Sequence, residues 1–365
     1  MSVPAKLPRW AEFGLLPFIN LTVALLLSGA IIRIMGESPW NAFKLMGAGA
    51  FGSQDSIGYT LYYATNFIFT GLAVAVAYHA GLFNIGAEGQ AYMGGLGTGL
   101  VCLGLGHWPL WAVLPLAVLA GAGFGAAWAF IPAWLQARRG SHIVITTIMF
   151  NFIAAALMTY LLVNVLIKPG QQSPETREFA PGAVMPAMHE LLAKVGISFS
   201  ATPFNLAFGF ALAASVLVWF FIWRTRWGYA LRVAGENAQA AVYAGISPPR
   251  IIIGAMLLSG ALAGGLGLNE IMGAQHRLVL DFPGGAGFVG IAVALMGRNH
   301  PAGIFVAAVL FGALYQGGSQ LSLDLPKVNR DMVVVIQGLV ILLCGAMENL
   351  FRAPLAAMFR RKDGE

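Results

Sequence analysis

The chain alternates long apolar runs with short connections rich in arginine, glycine or proline. Uncharged or nearly uncharged runs occupy residues 13–32, 60–80, 89–106, 108–131, 142–167, 204–223, 251–269, 284–297, 301–323 and 332–347. A helix needs about 20 apolar residues to cross a bilayer. The pattern therefore predicts an all-α fold, a polytopic integral membrane helix bundle of about ten transmembrane segments. Residues 284–297 and 332–347 are the short members. Residues 13–32 follow Lys6 and Arg9 in a signal-like arrangement, but their length matches a retained span better than a signal-peptide core.

The basic residues set an orientation. With the N-terminus inside and alternating crossings, thirteen Lys and Arg fall inside and eight outside, Arg33 among the latter. The positive-inside bias then predicts two cytoplasmic termini, residues 1–12 and a basic tail at 351–365, around a transmembrane body at 13–350. Composition agrees with this class: 58% hydrophobic, 10% charged, with a mean hydropathy of +0.75. The net charge of +6 gathers at the ends of apolar runs, which argues for orientation and against a nucleic-acid partner. Cys102 and Cys344 lie within apolar runs, with no CxxC spacing. The six histidines show no metal-ligand spacing, and no GxxxxGK[ST] phosphate loop occurs. No metal, no cofactor and no ATP hydrolysis are expected of this chain.

Three connections stand out. Residues 224–250 carry four arginines against one acid, Glu236, and form a cytoplasmic loop by the same bias. Within it, residues 235–244 predict one short helix of small residues ended by Gly245, with Ser247 as N-cap of the next helix and prolines in its first turn. On spacing alone, this is an ordinary loop whose arginines fix topology. The outer loop, residues 168–203, is rich in proline and glycine and holds a short amphipathic pattern at 187–195. It suits either a docking face for a delivery protein or a cap over the bundle.

The third connection is GLFNIGAEGQ, residues 81–90, which interrupts an apolar region with glycines and polar groups. Two readings of Glu88 stand side by side. It is a pathway carboxylate in a glycine-interrupted segment, or it caps the helix that begins at Gly89 after a tight turn. Suitable solute-binding types at comparable positions are Asn66, Phe83, Asn84, Glu88, Gln90, Asn151 and Asn269, with Phe150. The GxxxG pairs Gly95 and Gly99, Gly121 and Gly125, and Gly260 and Gly264 predict close helix packing.

The pattern Arg-x-x-Gly-Glu-Asn-x-x-Ala-Ala-x-x-x-Gly-Ile at 232–246 resembles the coupling loop of ATP-binding-cassette (ABC) import permeases of the branched-chain amino acid, ribose and nucleoside type. GLFNIGAEGQ, HIVITTIMFN at 142–151 and GFVGIAVALMGRNHPAGI at 287–304 are similar to the nucleoside branch. The resemblance implies that Arg232, Gly235, Glu236, Asn237, Ala240, Ala241 and Gly245 couple the chain to a tandem-domain ABC ATPase, which binds the ATP. It also implies a second related permease, an extracytoplasmic substrate-binding lipoprotein, a nucleoside or related purine or pyrimidine as small-molecule substrate, and a bacterial inner membrane location. A simple-sugar or branched-chain amino acid importer is the near rival. An ion-coupled secondary transporter using Glu88 is the distant one.

Overall fold

The structure is a computed structural model that describes residues 15–325, 334–339 and 342. In chain order its helices are α1 (Leu16–Ile34), α2 (Pro39–Phe51), α3 (Gln54–His79), α4 (Ala87–Leu105), α5 (Leu110–Arg139), α6 (Ile143–Tyr160) and α7 (Met188–Ala193). They continue as α8 (Ala207–Arg224), α9 (Arg226–Glu236), α10 (Ala238–Tyr243), α11 (Pro248–Gly264), α12 (Ala286–Met296) and α13 (Pro301–Asp324). Two π-helical stretches, Leu161–Val165 and Leu268–Gln275, extend α6 and the span begun by α11. Among the described residues the only β pairing is two isolated bridges, Glu175 with Val279 and Ala187 with Asn205.

The chain divides into two compact units, residues 1–56 with 313–365, and residues 57–312. In the first, α1 and α2 form a pair bent by 119°. Pro39 opens α2 behind the N-cap Ser38. The helix then packs on the end of α13 by small residues: an added Cβ at Gly49 would meet the Gln320 side chain, and one at Gly317 would meet the carbonyl of Met46.

The core of the second unit is α4, whose residues from Ala87 to Gly99 are all buried. It lies against α5 and α11, and all three are joined by glycine. A Cβ at Gly264 would run into the carbonyl oxygen of Gly121, and one at Gly260 into that of Gly125. Gly94 faces Gly264 in the same way. With no side chain between them, the backbones approach and dispersion contacts replace the hydrophobic drive that lipid does not supply.

Six described helical stretches are long and apolar enough to span a membrane, or seven if the bent α1–α2 pair makes one. The expectation of about ten segments differs for identifiable reasons. Residues 89–105 belong to α4, which is helical but dilutes its apolar content with six glycines and polar groups. Residues 284–297 form α12, with only 11 residues. Residues 332–347 lie almost wholly outside the described residues. The helix α2 was not expected from its sequence, and the amphipathic pattern at 187–195 shortens to α7.

Candidate functional site

The loop after α8 is built from two helices, which corrects the expectation of a single helix over 235–244. Thr225 caps α9, its side chain accepting from the N–H of Gly228 at 3.1 Å. That helix runs through Gly235 to Glu236. At Asn237 the backbone turns extended, and the Asn237 side chain accepts from the N–H groups of Gln239 (2.9 Å) and Ala240 (3.0 Å). A side chain that competes for backbone donors favours a cap over a helix interior, and it restarts the chain as α10. Gly245 follows at φ +75°, a left-handed turn that glycine adopts freely. Ser247 occupies the N-cap position of α11 but makes no side-chain cap bond.

Ala241 seats α10, being fully buried, while Glu236, Asn237, Ala240 and Gly245 are exposed. Large apolar side chains here also face outward: Tyr243 is 94% exposed, Trp227 67% and Val242 60%. The other end of α9 is tied inward. An added Cβ at Gly235 would strike the carbonyl of His79, so the last turn of α9 touches the end of α3 backbone to backbone. Beside this contact lies a cavity of about 480 Å³ lined by Tyr78, His79, Phe83, Arg232 and Glu236.

Residues 80–86 join α3 to α4 outside any helix, and their polar neighbours are committed to holding that shape. Asn84 accepts from the N–H of Gly86 (2.8 Å) and donates to Ser259 on α11 (2.8 Å) and to Gln90 (3.0 Å). Asn151, on α6, donates to the carbonyl of Ile85 and accepts from the N–H of Gly89, both at 2.9 Å. A buried non-helical backbone must find partners, and Asn84 and Asn151 supply them. Phe150 instead packs its ring against Trp128, 5.4 Å between centroids.

Glu88 lies in the first turn of α4, but it caps a different helix. Its Oε1 accepts from the N–H of Gly285 (2.9 Å) and its Oε2 from that of Gly287 (2.7 Å), at the start of α12. Two helix N-termini thus meet at one buried carboxylate, and both dipoles favour its charge. Gly287 allows the approach, since a Cβ there would overlap the Glu88 backbone.

A second polar cluster joins α3 to the π-helical stretch. Asn205 donates to Asn269 (3.0 Å), Asn269 to Asn66 (2.8 Å), and Asn66 to Glu270 (2.5 Å); Tyr62 donates to the other Glu270 oxygen at 2.6 Å. All five side chains are buried. The outer loop is pinned over this cluster: the N–H of Met185 donates to the carbonyl of Met272 (3.0 Å), that of Phe179 to His276 (2.8 Å) and that of Thr176 to Leu278 (3.0 Å). Arg277 adds an ion pair to Glu175 at 3.3 Å.

A profile of the family described as branched-chain amino acid transport system, permease component, matches residues 56–345. The chain belongs to this permease family. It is 35% identical to a guanosine ABC transporter permease of Bacillus subtilis, over 88% of this chain and 91% of the relative. It is 33% identical to a nucleoside ABC transporter permease of Lactococcus lactis, over 90% of this chain and 89% of the relative. A glucose ABC transporter permease of Haloferax volcanii is 32% identical over 98% of this chain and 93% of that protein. No solved structure matches the permease.

In this permease the residues singled out from sequence separate into three groups. Arg232 to Gly245 form the exposed α9–α10 feature; Asn84, Glu88, Gln90 and Asn151 gather at the α3–α4 break; Asn66 and Asn269 gather around Glu270. Phe83 is half-buried at the cavity between the first two groups. Sequence reading missed Tyr62, Asn205, Ser259 and Glu270. Only Glu270 left a signal, as an acid directly after Asn269 in an apolar stretch that resumes with Ile271 and Met272.

Proposed function

We propose that this permease is the membrane subunit of an ATP-driven importer for nucleosides or related purine and pyrimidine compounds. The observation that supports it most is the α9–α10 feature, exposed and aromatic on its outer side and joined by Gly235 to the end of α3 on its inner side. A separate tandem ATPase docks on that exposed side. Closing of the ATPase on ATP moves α9. The backbone contact at His79–Gly81 passes the motion to residues 80–86, and Asn84 passes it to α11 through Ser259.

The nucleoside class is supported by the guanosine and nucleoside relatives and by the GLFNIGAEGQ segment. A sugar substrate is the second reading, favoured by the glucose permease relative that aligns with 98% of this chain. The assembly we propose further contains a second related permease and an extracytoplasmic binding lipoprotein. It resides in a bacterial inner membrane with both termini cytoplasmic and about ten crossings, α4 and α12 included.

Uptake of radiolabelled guanosine, adenosine, uridine, glucose, ribose and leucine in cells lacking and then regaining the gene tests the reading. We expect nucleoside uptake to return with the gene and to fall about tenfold or more with a bulky Glu236→Trp substitution at the docking side. Restored uptake of glucose or ribose alone would overturn the substrate class. Uptake indifferent to ATP depletion and to Glu236→Trp would overturn ATPase coupling.

A further inference from the structure

Glu270 is an acidic side chain buried where α3 meets the π-helical stretch. It is 6% exposed, within a span, and both its hydrogen-bond partners are neutral: the Tyr62 phenol and the Asn66 amide. A carboxylate in an apolar interior is costly, and inside a membrane span it is rare. Each carboxylate oxygen of Glu270 takes one of the two donors, an arrangement that a glutamine with its single acceptor oxygen would not reproduce.

The direction of the bonds is informative. Asn205 donates to Asn269, Asn269 to Asn66 and Asn66 to Glu270, so the chain of amides ends on a pure acceptor. A carboxylate offers about four lone-pair sites, and two are taken here. Its free capacity suits a ligand with two adjacent donors. The neighbouring amides both donate and accept, as polyol hydroxyls do, and the paired rings of Tyr62 and Tyr63, 5.2 Å apart, add aromatic surface. The π-helical geometry belongs here as well, since such departures from the α-helix are frequent at functional sites.

Access is closed on the side of the outer loop by identifiable bonds. Asn205, at the end of that loop, holds Asn269, and Met185 holds Met272. The N–H groups of Phe179 and Thr176 hold the same loop through His276 and Leu278, and none of these contacts involves the Gly121–Gly264 and Gly125–Gly260 pairs of the core.

We propose that Tyr62, Asn66, Asn269 and Glu270 form a solute subsite that binds a vicinal diol, Glu270 accepting one hydrogen bond from each hydroxyl. The diol displaces the Tyr62 phenol from the carboxylate. The proposal rests on the transport reading, and it holds for a ribonucleoside or a sugar alike, because both present such a diol.

The test uses the assembled transporter in nanodiscs, without its binding protein, so that any selectivity belongs to the membrane subunits. Binding of guanosine and of 2′,3′-dideoxyguanosine is measured there, alongside uptake by the same transporter in proteoliposomes supplied with the binding protein. The wild type is expected to prefer the diol by about tenfold or more, the range for hydrogen bonds to a charged acceptor. Glu270→Gln is expected to bring the two ligands within about threefold. Tyr62→Phe removes the competing internal donor and is expected to widen the preference by about twofold or more, a gain that a purely structural tie would not produce. A preference kept intact in Glu270→Gln overturns the subsite while uptake by the wild type still upholds the transport reading. If Glu270→Gln does not accumulate, an unchanged preference in Tyr62→Phe overturns the subsite by itself. A wild type that takes up neither guanosine nor glucose overturns the transport reading and the subsite with it.

Discussion

Several polar residues of this permease spend their bonding capacity on backbone, which decides what their substitution does. Glu88 satisfies the N–H groups of Gly285 and Gly287 at the start of α12. Replacement by alanine orphans both donors, the buried one at Gly287 at about 1–3 kcal/mol and the partly buried one at Gly285 at less. Glu88→Gln keeps one acceptor oxygen and orphans at most one. We therefore expect thermal unfolding in detergent to order the proteins as wild type, Glu88→Gln, Glu88→Ala, from most to least stable. Equal stability of wild type and alanine variant would show that the cap contributes nothing. The residue was conspicuous in the sequence as an acid among glycines. Its partner helix, however, begins 197 positions away, and no local pattern joins them.

The elements to which our proposal assigns coupling are short, and each depends on one capping or packing residue. Asn237 separates α9 from α10 and holds the first turn of α10 through two backbone donors. Loss of such a cap costs about 1 kcal/mol, or roughly a fivefold change in an equilibrium. Asn237→Ala is therefore expected to weaken co-purification of the ATPase about fivefold, and Asn237→Asp, which keeps the acceptor oxygen, to leave it within about twofold. At the inner end of α9, Gly235→Val places a branched side chain against the carbonyl of His79. Membrane insertion is expected to be retained and ATP-driven uptake to drop about tenfold or more, read by quantifying the protein in membranes beside uptake. The sequence marked these residues through small side chains and a known motif. It did not mark the split of the helix, because helix-compatible residues such as Ala234 and Glu236 precede Asn237, and Ala238, Ala240 and Ala241 follow it.

For the whole molecule, α8 separates the outer loop from the α9–α10 feature by a single helix of 18 residues, Ala207–Arg224. If that helix crosses the membrane, single cysteines placed at Glu190 and Gln239 in a chain with Cys102 and Cys344 replaced must label from opposite sides. Labelling of both by the same membrane-impermeant reagent in intact cells would refute the arrangement. The basic residues near each apolar run predict this orientation, since positive charge is retained on the cytoplasmic side. By itself the amino-acid order determined the helical class, the positions of the long spans, the exposed loop after α8 and the interruption at residues 81–86, because hydrophobic length, charge bias and glycine punctuation are local properties. Tertiary structure alone decided that Glu88 caps α12, that Asn84 and Asn151 support the interruption, and that Tyr62, Asn66, Asn205, Asn269 and Glu270 meet. These pairings depend on which faces of distant helices come together, and that is set by glycine contacts such as Gly121 with Gly264, whose consequence appears only once the backbones have packed.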